Sequence, residues 1–208
     1  VSIMPCVAKK GEIVKPENVH EGMQDVDAVL TTRELGRLIK MYGINFKDLK
    51  DSAFDEDMFG EYTGAAVIFG TSGGVMEAAL RTVVDVLEKK DLQNIEYHAV
   101  RGVVGLKEAT LEVAGMEVNV AVAHSMSIAK PLLEDIRNGK SKYHFIEIMG
   151  CPGGCINGGG MPYIDAQRRN DDFDYKALRA KALYAEDEEL PVRKSHENKQ
   201  IQELYKNF

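Results

Sequence analysis

Phe145-Ile146-Glu147-Ile148-Met149-Gly150-Cys151-Pro152-Gly153-Gly154-Cys155-Ile156-Asn157-Gly158-Gly159-Gly160 decides how this chain is read. Its first five residues are an apolar-rich run of strand length, and they lead directly into two cysteines four positions apart. Seven of residues 150–160 are Gly or Pro. Loops that follow strand ends are where α/β folds place ligands. A thiolate pair in such a loop suits a soft metal or an iron–sulfur cluster. Glycine lets the chain turn through positive φ and brings backbone N–H groups close to a bound group. The plainer alternative is a Gly-rich turn that holds two buried cysteines.

The other cysteine, Cys6, lies in Ile3-Met4-Pro5-Cys6-Val7-Ala8-Lys9-Lys10-Gly11-Glu12. Three cysteines, all in motifs, argue against a disulfide scaffold. They also fall one short of the usual four thiolates of a [4Fe–4S] cluster. The fourth ligand is therefore expected from His, Asp, water or another segment. The five histidines, His20, His98, His124, His144 and His196, are scattered, and only His144 is near the cysteine loop in sequence. Zinc held by Cys6, Cys151, Cys155 and one His is an alternative, but structural zinc sites favour closely spaced ligand pairs.

Further out, the pattern alternates strands and helices, which predicts an α/β fold. Residues 1–5 read as a strand delivering Cys6, and 27–30 as a short strand. Thr31-x-x-Glu34 is a capping box, with Leu35, Leu38, Ile39 and Tyr42 at helical spacing up to Gly43. Residues 45–63 read as an acidic loop, 65–69 as a buried strand and 94–100 as another strand. Gly73-Gly74 matches neither phosphate-loop spacing. It is expected to pack a helix start on the sheet, the helix carrying Val75, Ala79, Val83, Val86 and Leu87. Segments 109–114 and 116–123 read as a hairpin about Gly115. Ser125 or Ser127 is expected to cap the next helix, with Pro131 in its first turn and Gly139 ending it. From residue 172 the chain is charged and helical, broken at Pro191, and is expected to wrap the outside of the body.

The 208 residues can bury a sizeable core, in one domain or two small lobes. A net charge of −7 leaves no basic footprint for nucleic acid. No apolar run approaches the roughly 18 residues of a membrane span, and no signal peptide opens the chain. Unpaired cysteines suit a reducing compartment, so a cytoplasmic location is expected.

Three blocks together resemble the [FeFe]-hydrogenases. Met4-Pro5-Cys6-x-x-Lys9-x-x-Glu12 and Met149-x-Cys151-Pro152-Gly153-Gly154-Cys155-Ile156-Asn157-Gly158-Gly159-Gly160 look like that family's second and third signature motifs. Phe69-Gly70-Thr71-Ser72-Gly73-Gly74-Val75-Met76-Glu77-Ala78-Ala79-Leu80-Arg81 looks like its internal Gly-Gly turn and helix. Met161-Pro162 stands where many members have Gln-Pro. The first motif, a Thr-Ser-Cys-Cys-Pro run, is expected upstream of Met4, supplied by an upstream segment or a second chain.

The resemblance implies that 1–170 is the C-terminal part of a two-lobed H-cluster catalytic domain and that 171–208 is a helical tail like the family's small subunit. It implies an H-cluster: a [4Fe–4S] cubane bridged to a two-iron unit with CO, cyanide and dithiolate ligands. Cys6 and Cys151 would be cubane ligands, and Cys155 would bridge the two metal units. Lys9 would hydrogen-bond a cyanide, since a positioned cation offsets the cost of burying that charge. Met4, Pro5, Phe69, Gly70 and Met149 would line the pocket, the thioethers excluding water. For Met4 and Met149 the plainer reading is core filling; for Phe69 it is sheet core. Lys10 is expected to be a solvated surface lysine, and Glu12 to pair with a neighbouring cation. The implied function is reversible oxidation of dihydrogen to protons and electrons, exchanged with ferredoxin or a related iron–sulfur carrier. The alternatives are a non-catalytic hydrogenase-like iron–sulfur protein, for sensing or cluster assembly, and a fragment inactive without a partner segment.

Overall fold

The computed structural model describes residues 1–53, 60–89, 96–102, 105–170 and 173–207. In chain order its elements begin β1 (Ser2–Met4), α1 (Lys9–Glu12), β2 (Val19–His20), β3 (Met23–Gln24), β4 (Val29–Thr31) and α2 (Thr32–Met41). There follow α3 (Gly64–Ile68), α4 (Gly74–Glu88), β5 (Leu106–Val113), β6 (Met116–His124), α5 (Met126–Arg137) and β7 (Phe145–Met149). Last come α6 (Ala166–Asn170), α7 (Tyr175–Glu189) and α8 (Lys199–Asn207). The chain forms two compact units, Val1–Ala53 with Cys155–Phe173, and Phe54–Gly154 with Asp174–Phe208.

In the first unit, β1 and β4 pair in parallel, Met4 opposite Thr31. The expected strand at 27–30 thus lies at Val29–Thr31. The capping box is present: Thr31 accepts from the Glu34 N–H, and the Glu34 carboxylate accepts from the Thr31 N–H at 2.8 Å. Gly43, at φ +65°, follows the end of α2.

The second unit is built on the sheet β5-β6-β7, antiparallel between β5 and β6 and parallel between β6 and β7. The predicted hairpin turns at Gly115, φ +77°. Central β6 is covered on both faces. Val120 and Val122 pack with Met76 and Leu80 of α4, while Ala121 and Ala123, on the alternate face, are also fully buried. α5 packs on β6 and β7 as the crossover of a β-α-β unit.

Several expectations are corrected here. Residues 65–69 are not a strand: Thr63 caps the α-helix α3 by accepting from the Ala66 N–H. A short apolar run reads equally as buried strand or buried helix, and tertiary contacts decide between them. Here the tail decides, because Val192 and Arg193 carbonyls accept the Gly64 and Ala65 N–H groups. The strand expected over 94–100 falls partly outside the described residues, and its described end is a 3-10 turn, His98–Val100. Of the 45–63 loop, 54–59 lie outside the described residues, and Phe46–Asp48 make a 3-10 turn.

The stripe expected on α4 is also corrected. Val83, Val86 and Leu87 are exposed, and the buried face carries Met76, Leu80 and Val84 with Glu77 and Arg81. Pro131 lies inside α5, beyond its first turn. It is exposed there, as is Ser127 four residues before it, so water can take the carbonyl it leaves unbonded. Ser125 occupies the N-cap position of α5 without a side-chain cap bond. Gly139, at φ +66°, does end that helix, donating to the Ile136 carbonyl. The tail does more than wrap: Asp187 is 0% exposed, inside the second unit.

Gly73-Gly74 packs a helix start as expected, and the sheet grips it through a residue the sequence reading passed over. Glu147, on β7, accepts from the Gly73 N–H at 2.6 Å and the Met76 N–H at 2.7 Å. A carboxylate there satisfies orphan amides and meets the positive end of the helix dipole. Glu147→Ala is expected to destabilise the fold by about 2–3 kcal/mol, since two buried N–H groups lose a charged acceptor. Urea denaturation measures this; a loss below about 0.5 kcal/mol would show that water replaces the carboxylate.

Candidate functional site

In the first unit, β1 delivers Met4 and Pro5 to Cys6, and α1 follows with Lys9 and Lys10. The two lysines differ in their partners rather than in exposure. Lys10, its side chain 40% exposed, lies at the surface as expected but is anchored there: its ammonium donates to the Val29 carbonyl at 2.8 Å and pairs with Glu34 at 2.9 Å. It therefore ties α1 to β4 and α2. Hydrogen bonds from Thr31 and Lys10 hold the Glu34 carboxyl down to about 2. Lys9, its side chain 39% exposed, pairs with Glu12 at 2.7 Å, which answers the expectation for Glu12. The hydrogen bond from Lys9 pulls the Glu12 carboxyl below its usual range. Met4, Lys9 and Glu12 line one cavity of about 190 Å³.

Cys155 opens a 3-10 turn over Cys155–Asn157. Backbone bonds fold the glycine run that follows onto Pro5. The Gly158 N–H donates to the Cys155 carbonyl and the Gly160 N–H to the Pro5 carbonyl, both at 2.9 Å. A Cβ on Gly158 would lie 2.2 Å from the Pro5 oxygen, so no other residue fits. Arg33 completes the grip, donating to the carbonyls of Gly159 at 2.7 Å and Met161 at 2.6 Å. Only the backbone of Met161 is used there, so the departure from Gln costs the turn nothing.

In the second unit, β7 ends at Met149, whose carbonyl accepts from the Ser125 N–H at 2.8 Å. The loop Cys151–Gly154 then closes with the Gly154 N–H on the Cys151 carbonyl, 2.9 Å. Gly153 and Gly154 both have positive φ, +90° and +93°. A Cβ on Gly154 would lie 2.6 Å from the Ser72 nitrogen and 2.8 Å from the Gly70 oxygen, so the loop seats directly on the 70–72 turn. Phe69 ends α3 and is 44% exposed; it is not sheet core.

Three residues around this loop were missed or under-read. Ser72 donates its N–H to the Gly153 carbonyl at 3.0 Å. The Lys107 ammonium donates to the carbonyls of Ser72, Val100 and Gly102. Burial lowers that amine to about 8, against a smaller opposing pull from Glu147. His124, 3% exposed, accepts the Gly153 N–H on Nδ1 at 3.1 Å. His144, the histidine nearest in sequence, sits before the far end of β7, its Nδ1 accepting from the Asn119 N–H. Only the parallel register of β6 and β7, His124 opposite Met149, brings the right histidine to the loop.

The donor set is soft. Cys6, Cys151 and Cys155 form no disulfide, and thiolates suit iron–sulfur clusters. The loops bearing Cys151 and Cys155 are cradled by glycines whose Cβ positions are filled by backbone. Beside the Cys151 loop, the Ser72 hydroxyl is buried and has no partner among the described residues. A buried orphan of this kind costs about 1–3 kcal/mol unless something satisfies it. These residues fit an iron–sulfur cofactor. Among the described residues, the tight grouping of metal-ligand types is Asp85, His196 and Glu197, without a cysteine. There the Lys194 ammonium already pairs with Asp85.

A family model described as "Iron only hydrogenase large subunit, C-terminal domain" matches residues 1–159. One described as "Iron hydrogenase small subunit" matches residues 173–208. Iron hydrogenase 1 of Clostridium pasteurianum is 46% identical over 208 residues, 100% of this chain and 36% of that protein. The periplasmic [Fe] hydrogenase large subunit of Nitratidesulfovibrio vulgaris is 52% identical over 189 residues, 89% of this chain and 45% of that protein. A solved structure of a variant of [FeFe]-hydrogenase HydA1 from Chlamydomonas reinhardtii superposes with a TM-score of 0.74 at 33% identity, covering 100% of this chain and 58% of that one. The chain thus spans less than half the length of these two curated relatives. With the matched domain covering three quarters of its length and both cysteine loops cradled by backbone, the chain belongs to the iron-only hydrogenase family, through the C-terminal domain of the large subunit.

Proposed function

We propose that this chain is the C-terminal part of a catalytic domain that reversibly oxidises dihydrogen to two protons and two electrons. The observation that carries the reading is the pair of preformed cysteine loops, each locked by glycines that admit no side chain, in a chain of this family. Cys6 and Cys151 would hold the cubane of an H-cluster, and Cys155 would hold both the cubane and the two-iron unit. When bound, that group supplies the metal chemistry of hydrogen cleavage and formation. The chain supplies ligation, orientation and charge. Met4, Pro5, Phe69, Gly70 and Met149 would wall the pocket and exclude water. Lys9, located by Glu12, would present a cation toward cyanide.

The fourth cubane cysteine would come from an upstream segment or a second chain. Ferredoxin or a related iron–sulfur carrier would exchange the electrons. Residues 171–208 would act as a fused equivalent of the small subunit. No helix among the described residues is long and apolar enough to cross a membrane. A cytoplasmic location is proposed because Cys6, Cys151 and Cys155 form no disulfide, although one relative is named periplasmic; fractionation of cells decides it.

Iron and sulfide analysis with infrared spectroscopy of the intact protein tests the reading. Bands from CO and cyanide are expected; a cubane without them would leave a non-catalytic iron–sulfur protein. Lys9→Asn is expected to keep the cubane signals and lose turnover by more than about tenfold, the range seen when groups supporting a metal site are removed. Lys10→Asn, which breaks a structural tie, is expected instead to lower thermal stability. Wild-type turnover in the Lys9 variant would return Lys9 to the surface.

A further inference from the structure

Sequence motifs single out Cys151, Gly153, Gly154 and Cys155 but no side chain that holds the loop between them. We propose that His124 is the positioning residue of this loop: its Nδ1 fixes the Gly153 peptide, midway between the two cysteines, and so sets where Cys151 presents its sulfur. The inference rests on the proposed role of Cys151 as a ligand.

The Gly153 peptide is gripped from both sides. Its N–H donates to His124 Nδ1 at 3.1 Å, and its carbonyl accepts from the Ser72 N–H at 3.0 Å. Ser72 contributes only backbone to that grip, so His124 is the side chain on which the grip depends. The ring is placed with little freedom. His124 is the last residue of β6, paired with Met149 in the parallel register. The next residue, Ser125, has φ +90°, an unusual value outside glycine, and its N–H donates to the Met149 carbonyl at 2.8 Å. The ends of β6 and β7 are thereby locked where the loop begins.

The protonation state agrees. A histidine accepts on Nδ1 only when neutral, with its proton on Nε2. Burial first, then the charges of Lys107 and Lys176, lower the His124 pKa and favour that form. Lys107 also holds the opposite jaw, through the Ser72 carbonyl. An apolar side chain at 124 would leave the buried Gly153 N–H without its acceptor. Hydrogen bonding and solvent access around thiolate ligands tune a cluster's reduction potential, so a loosened loop should register there.

The test uses the intact protein. In the cluster-free form, nitrogen NMR of labelled histidine is expected to show Nδ1 unprotonated and coupled to the Gly153 amide. A proton on Nδ1 makes the bond impossible and overturns the proposal without any variant. His124→Asn places a carbonyl oxygen near the Nδ1 position, whereas His124→Leu has no acceptor. The Leu variant is expected to raise amide exchange at Gly153 about fivefold, the factor for one typical net hydrogen bond. It should also shift the cubane midpoint potential, and the Asn variant should restore both. Equal effects in Asn and Leu would make His124 a packing residue, and no effect in Leu would make it irrelevant to the loop. Absence of any cluster in the wild-type protein would refute the ligand reading, while the nitrogen signal would still decide the grip.

Discussion

On the proposed function, replacing Cys155 by serine in the intact protein is expected to leave it folded but with hydrogen turnover lowered by more than about a hundredfold. Loss of groups that merely support a metal site costs about 10–100-fold, and Cys155 is proposed as a ligand itself. Serine oxygen is harder than thiolate and bridges iron poorly. The fold should survive because the turn is held by bonds that serine leaves in place. These are the Gly158 N–H to the carbonyl of residue 155, the Gly160 N–H to Pro5, and Arg33 to Gly159 and Met161. Compared with serine at Cys6 or Cys151, the change should be the most selective for the two-iron unit. Circular dichroism, infrared spectra and hydrogen assays on the three variants of the intact protein make the comparison. Wild-type CO and cyanide bands with full turnover in Cys155→Ser would remove the bridging role, the most specific part of the proposed function.

Asp187→Ala is expected to cost about 3–5 kcal/mol, the range for breaking a buried ion pair from one side. Asp187 is 0% exposed and accepts both terminal nitrogens of Arg81, at 2.7 and 2.9 Å, and Arg193 at 2.6 Å. Arg81 is buried as well, and its second carboxylate is Glu77 at 2.8 Å, shared with Arg101. Without Asp187 the Arg81 charge stays in the interior with a partner already claimed. Gly64 reports how tight the joint is: a Cβ there would lie 2.0 Å from Asp187 Oδ1.

The pH dependence has a definite sign. Burial pushes the Asp187 carboxyl up, but hydrogen bonds and charge from Arg81 and Arg193 outweigh it and hold the carboxyl below its usual 3.8. A depressed folded-state pKa contributes stability above the unfolded value, lost as pH falls through the folded one. The gap between wild type and variant should therefore be full at neutral pH and shrink only below about pH 4. Urea denaturation from pH 7 down to pH 3 measures both. A loss under about 1 kcal/mol at pH 7 would mean that the tail contributes packing and little charge pairing.

The sequence by itself determined the features whose partners lie within a few residues. The Thr31–Glu34 box, the turn at Gly115 and the stop at Gly139 rest on local hydrogen bonds or on positive φ; the strand that runs into Cys151 shows in sequence only as an apolar run, and its partner, β6, does not. The cysteine motifs were legible for a related reason: few chemistries want thiols set among so many glycines. The tertiary structure decided everything whose partner is far along the chain. Gly64–Ile68 became helix because the tail, more than a hundred residues on, takes its first amides. The buried face of α4 was misread because Glu77 and Arg81 look like surface residues until Arg101 and Asp187 arrive to neutralise them. His124, 29 residues before Gly153, and Glu147, 74 residues after Gly73, carry no local signal at all. A strand shows in sequence which residues share a face. Which strand lies beside it, and so which side chain meets which loop, is set by non-local pairing that only the folded chain specifies.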